Sequence, residues 1–248
     1  MTDKLEMTLN DLNDDAIDLI LNLLQLDELL SMYNEINPRL NDAIERQFYR
    51  FRHFDFSMRF PPRHDAGKLQ ALGRHLRSLH ISVGYSIDKK DVIPILRPLC
   101  QGAAETQKLR ALKFDHVSFT EEYVRTIQLV TPFLRILDMS HCDVRDHMIV
   151  RLLENAKMLQ HLVILNIYQL TGEEHLKPYT LNNLPCLKLI CIMFVGNLPY
   201  KLDELSIQYP HLSFLVYDTV ACNAFKIYGP YVNIDIRNKW SHEYFKSD

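Results

Sequence analysis

The chain has 248 residues, 47% of them hydrophobic and 24% charged, with a formal net charge of −3. That is globular composition, and a charge so near balance argues against a nucleic-acid or acidic-membrane binder. Cys100, Cys142, Cys186, Cys191 and Cys222 form no C-x-x-C pair. Neither a zinc-ligand spacing nor a disulfide framework is indicated, so a reducing intracellular setting, cytoplasmic or nuclear, is expected.

The opening MTDKLEMTLNDL lacks the basic region, apolar core and small-residue cleavage site of a secretory signal. Leucine density rises at LNDDAIDLILNLLQLDELLSM, Leu12 to Met32, but Asp14, Asp15, Asp18, Asp27 and Glu28 make a membrane span too costly. Asn13, Asp14 and Asp15 suit a helix N-terminus, where they cap free N–H groups and complement the helix dipole. Ile17, Leu19, Ile20, Leu21, Leu23 and Leu24 follow, too many for one apolar stripe. Gln25-Leu26-Asp27 reads as a break, with Asp27 capping a second helix through Leu29, Leu30 and Met32. Leu40, Ile44 and Phe48 continue at helical spacing. Helices this crowded with leucine need a further surface to cover them.

A short pattern then recurs. Its clearest copy is LRILDMSHCDV, Leu134 to Val144, which reads L-x-x-L-x-M-x-x-C-x-V. Related segments start at Phe51, Leu76, Leu109, Leu134, Leu162, Leu187 and Leu212, at intervals of 25, 33, 25, 28, 25 and 25 residues; Leu159 offers a second start for the fifth. The period falls in the range of leucine-rich repeats, roughly 20–29 residues. If each segment is a strand, Phe54, Leu79, Leu112, Leu137, Leu165, Ile190 and Leu215 line one interior row. Phe56, Ile81, Phe114, Met139, Ile167, Ile192 and Tyr217 line a second. One unit cannot bury such a row; stacked units can. VIPILRPLC, EEYVRTIQLV, RDHMIVRLLENA and YKLDELSIQY carry apolar residues at helical spacing between the strands. Pro132, Pro185 and Pro210 fall where a helix must stop. The expected fold is α/β: a curved solenoid with parallel strands inside and helices outside, preceded by a small all-α head. The long interval is expected to hold a longer loop around Tyr85–Lys90. The divisions are 7–48 for the head, 49–227 for the repeats and 228–248 for a C-terminal cap or tail, in which YVNIDI can supply a last strand.

The head resembles an F-box. Leu12-Asn13-Asp14-Asp15, then Ile17, Ile20, Leu21 and Leu24, then Leu26, Glu28, Leu29 and Leu30 follow that family's acid-opened helix and its leucine-rich continuation. Asn13 stands where proline is usual, and Asn37-Pro38 where a Val-Cys-basic ending is usual. With the repeats behind it, the whole chain resembles an F-box and leucine-rich-repeat protein. That resemblance implies a substrate-recognition subunit of a cullin–RING, SCF-type ubiquitin ligase. Its head would dock on a Skp-family adaptor through Leu12, Ile17, Ile20, Leu24, Leu26 and Leu29, and its repeats would bind a protein substrate. Two alternatives stand beside it: leucines that only pack the end of the solenoid, and a leucine-rich-repeat scaffold without a ligase role.

The strand positions facing out of the core are polar in the early units and apolar in the last three. Ile164, Tyr168, Leu189, Cys191, Met193, Phe214 and Val216 make an expected apolar surface, and Ile164, Tyr168, Leu189, Met193, Phe214 and Val216 are the candidate substrate contacts. Trp240, Tyr244 and Phe245 of the tail are equally suited to cover it. Arg52, Arg77, Arg110 and Arg135 each follow a repeat start, so stacking predicts a basic column, read chiefly as a solvated edge. His141, Asp143, Asp146 and His147 are metal-ligand types around Cys142, but the thiol is expected in the core and the others in a turn, which favours a plain surface cluster. No phosphate-binding glycine loop, H-E-x-x-H or G-x-S-x-G occurs. Neither catalysis nor a cofactor or metal is expected.

Overall fold

The computed structural model describes residues 11–57, 65–85, 87, 89–165, 177–194, 202–218 and 224–230. Three helices come first: α1 (Asp14–Leu21), α2 (Leu26–Met32) and α3 (Pro38–Gln47). Strands and helices then alternate: β1 (His53–Ser57), α4 (Ala66–Gly73), β2 (Ser78–Ser82), α5 (Lys89–Thr106), β3 (Ala111–Asp115), α6 (Glu121–Ile127), β4 (Ile136–Asp138) and α7 (Asp146–Leu153). The series continues with β5 (His161–Ile164), α8 (Pro178–Asn182), β6 (Leu189–Phe194), α9 (Leu202–Gln208), β7 (Ser213–Asp218) and β8 (Ala224–Tyr228).

The strands form one sheet in chain order. The first seven are parallel, as a strand–helix repeat requires. β8 turns back and pairs antiparallel with β7, which the sequence pattern did not suggest; the expected YVNIDI strand lies outside the described residues. Gly229, at φ +102°, ends β8 where a Cβ would meet the Leu212 carbonyl oxygen at 2.4 Å. No helix among the described residues is long and apolar enough to cross a membrane.

The core lies between one face of the sheet and the helices. Leu79, Ile81, Leu112, Phe114, Leu137 and Met139 point into it as expected, all nearly inaccessible to solvent. Phe54 is only half-buried at the sheet's first strand. The fifth and seventh units differ from expectation, whereas Ile190 and Ile192 of the sixth lie in the core as expected. Leu137 pairs with Leu162, and Leu162 with Ile190, so the fifth unit starts at Leu159. Ile190 in turn pairs with Phe214, one residue earlier than the sequence spacing placed it. A shift by an odd number inverts every side chain of a strand. Leu165 and Leu215 therefore join a separate buried row on the other face, with Ala111, Ile136, Val163, Leu189 and Cys191.

The long interval also resolves differently. α5 runs for 18 residues, where α4, α6 and α7 have seven or eight, and so takes up the extra chain as helix from Lys89. It packs on α4 with backbone nearly touching backbone. A Cβ on Gly102 would lie 1.9 Å from the Gln70 carbonyl oxygen, and one on Gly73 would lie 2.4 Å from that of Leu99. The Thr106 hydroxyl donates to the Arg74 carbonyl at 2.8 Å, and Arg74 pairs with Glu105 at 2.7 Å, fastening the two helices at their C-terminal ends.

Candidate partner-binding surfaces

The N-terminal helices are held by their own polar residues. The Asn13 side chain accepts from the Ala16 N–H at 2.8 Å, capping α1. Asp27 does not cap α2: Gln25 is the N-cap, and Glu28 closes a capping box by accepting from the Gln25 N–H at 2.8 Å. Asn37 caps α3, accepting from the Leu40 N–H at 2.9 Å, with Pro38 at the first helical position, where its missing N–H costs nothing. Asn37-Pro38 thus serves as a helix start. Arginines of α3 and the following turn grip α1. Arg39 donates to the Leu12 carbonyl at 2.7 Å and to Asp14 at 2.8 Å, and Arg46 pairs with Asp18 at 3.0 Å. Arg50 donates to the carbonyls of Leu21, the last residue of α1, and of Leu24 beyond it, both at 3.2 Å.

This packing divides the six sequence-derived adaptor contacts. Ile17 and Leu29 lie in the core, at 1% and 0% exposure, and are not available to a partner while the fold persists. With Leu21 and Leu30 they belong to the same buried cluster as Leu40, Ile44 and Phe48. Leu12, Leu24 and Leu26 are half-buried against that core. Ile20 is exposed, and with it Leu19 at 70% and Leu23 at 79%. The exposure of Leu19 and Leu23 was legible in the sequence: once one helical stripe is assigned to Ile17 and Leu21, positions two residues away face outward. Beside Leu19 a shallow depression is lined by Asp15, Asp18, Asn22 and Gln47.

The candidate substrate contacts divide likewise. Ile164, Phe214 and Val216 face the helices and are buried in the main core. The cause is the altered starts of the fifth and seventh units. Leu189 does lie on the sheet's second face, but it is 5% exposed within the smaller buried row. Met193 belongs to β6, while Tyr168 and the tail residues Trp240, Tyr244 and Phe245 lie outside the described residues. Polarity still changes along the second face. In β1–β4 it carries His53 hydrogen-bonded to Ser78 at 2.8 Å, Asp55 paired with His80 at 3.1 Å, and Asp138 accepting from the Ser140 N–H at 2.9 Å. From β5 it carries Val163, Leu165, Cys191 and Leu215. His161 stands at this boundary. Burial, aided by the Lys188 charge, pushes its imidazole down to about 4, so the ring is neutral near pH 7.

The basic column forms. Backbone N–H groups of Arg77, Arg110 and Arg135 donate to the carbonyls of Arg52, Arg77 and Arg110 at 2.7–2.8 Å, one rung after another. Gln160 and Lys188 extend the column. Arg110 turns back to the Gln107 and Leu109 carbonyls.

Of the four polar residues singled out around Cys142, only His141 enters a convergent cluster, and its partners come from the preceding unit. Asp115 ends β3, and its Oδ1 lies 3.1 Å from the His116 Nδ1 and 3.0 Å from the His141 Nδ1. His147 instead faces Glu121 at 3.6 Å. Asp146 opens α7. The Cys142 thiol is buried and pushed up to about 12, chiefly by desolvation. No family model matches the chain, and no curated protein matches it either.

Proposed function

We propose that this chain is the substrate-recognition subunit of a cullin–RING, SCF-type ubiquitin ligase. In this reading α1–α3 form a degenerate F-box that docks on a Skp-family adaptor, and the strand–helix units form a leucine-rich-repeat solenoid that holds a protein substrate. One observation carries the proposal: at the first end of the row of units, three short helices retain Leu19, Ile20 and Leu23 outside a core that Ile17, Leu21 and Leu29 already fill. Burying one exposed leucine is worth roughly 1.5–3 kcal/mol before the costs of association are subtracted. α1 and the turn after it present three such side chains, with Leu12, Leu24 and Leu26 at the margin, which suits recognition in an apolar groove.

The burial of Ile17 and Leu29 favours the second reading, a leucine-rich-repeat scaffold that never meets the ligase, because it leaves fewer anchors than the F-box pattern implies. Coexpression of the full chain with a Skp-family adaptor separates the two. The ligase reading expects the wild type to retain the adaptor through purification, and Leu19→Asp/Leu23→Asp to lose it with an unchanged circular dichroism spectrum. Wild-type protein that recovers no adaptor would overturn it.

A further inference from the structure

We propose that Asp115, His116 and His141 form a binding site for a borderline divalent transition-metal ion such as Zn²⁺. The site stands apart from the ligase reading. It lies at the C-terminal ends of β3 and β4, among residues that neither the adaptor nor the substrate assignment uses.

The sheet creates the site. Lys113 pairs with Asp138, so continuing the rungs brings His116 beside His141, two residues 25 positions apart in the sequence. In-register parallel strands set such residues about 4.8 Å apart. The two imidazoles stack at 5.1 Å between centroids with planes only 9° apart. Both rings turn Nδ1 toward the same Asp115 oxygen, and the three donor atoms lie within 4.8 Å of one another. Two ligands on a tetrahedral Zn²⁺, each bonded at 2.0–2.1 Å, are separated by about 3.3 Å. The two His–Asp separations, 3.1 and 3.0 Å, are already close to that value.

The backbone places the two rings. His116 and His141 sit at φ +57° and +55°, in the left-handed region. Asn, Asp and His are the non-glycine residues that favour this region, so equivalent turns of two consecutive units present the two rings side by side. Tyr85 steadies the pair from outside: its ring meets that of His116 edge-on at 5.4 Å, and its hydroxyl donates to the His141 carbonyl.

Without an ion, each Nδ1–H donates to the Asp115 carboxylate. With an ion, each ring carries its proton on Nε2, offers the Nδ1 lone pair, and leaves the carboxylate oxygen as third ligand. Two neutral imidazoles and one carboxylate suit a zinc-like ion rather than Mg²⁺ or Ca²⁺, which take oxygen ligands. The fourth tetrahedral position, on the side where His116 is exposed, is open to water or to a side chain of a bound protein.

The test titrates the full chain, stripped of metal, with Zn²⁺ by calorimetry and with Co²⁺ by visible absorption. One equivalent is expected to bind, and Mg²⁺ is not expected to compete. Imidazole ¹⁵N spectra should show Nδ1 of His116 and His141 shifting, with the other histidines unmoved. His116→Asn and His141→Asn keep a residue suited to positive φ; each should weaken binding roughly tenfold or more at unchanged circular dichroism. No saturable binding, or binding undiminished in the double variant, would overturn the assignment.

Discussion

His161 shows how a single side chain can set the acid sensitivity of the fold. Its imidazole titrates at about 4 in the folded chain against 6.5 for the free group. Below pH 6.5 the unfolded chain takes up a proton that the folded chain refuses, so stability falls as pH drops from about 6.5 to about 4. The full contribution is about 3 kcal/mol by linkage. Chemical denaturation across that range should show a shallower slope for His161→Gln than for the wild type. Thiols follow the same logic: Cys100 and Cys142 are both pushed up to about 12 by burial. Half-buried Cys186 should therefore react with a maleimide well before either, as mass mapping would reveal. Residue identity alone did not disclose His161's neutrality, because its neighbours Ile136 and Leu189 come from other strands.

At the scale of elements, helices were the more legible feature. EEYVRTIQLV and RDHMIVRLLENA hold α6 and α7, and both Asn13 and the run Leu40, Ile44, Phe48 took their expected places. A helical stripe repeats every 3.6 residues and survives an error of one position, whereas strand facing has period two and does not. That difference explains why Ile164, Phe214 and Val216 were assigned to a surface but lie in the core. The rival start at Leu159 was visible in the sequence, but two equally apolar phases, Leu162/Ile164 and Val163/Leu165, gave no means of choosing between them. The contact of α4 with α5 gives a sharper test. Gly102→Ala places a methyl carbon against the Gln70 carbonyl, and despite alanine's better helix propensity it should destabilise by about 2–3 kcal/mol. A urea midpoint equal to wild type would refute that close approach.

Across the whole molecule, a parallel sheet backed by helices was readable from the recurrence itself, while the extent of the core was not. One contiguous apolar cluster runs from Ile17 to Val216. Phe48 connects its beginning to the rest: fully buried, it meets Tyr33 at 5.6 Å and the His75 ring at 6.2 Å. Glu45 reinforces the seam through Arg74 at 3.6 Å and His75 at 3.4 Å, and Lys68 of α4 through Glu35 at 2.8 Å. Phe48→Ala should cost about 3–5 kcal/mol. Hydrogen exchange should then quicken in α4 as well as in α3; acceleration confined to α3 would mean that the helices and the sheet unfold separately.

The reversal at β8 limits how this architecture could lengthen. A parallel newcomer needs the exposed flank of a strand running in the common direction, and β7 has already given that flank to β8. Growth by duplicating a unit would therefore have to be spliced in upstream of β7, where every neighbour still points the same way.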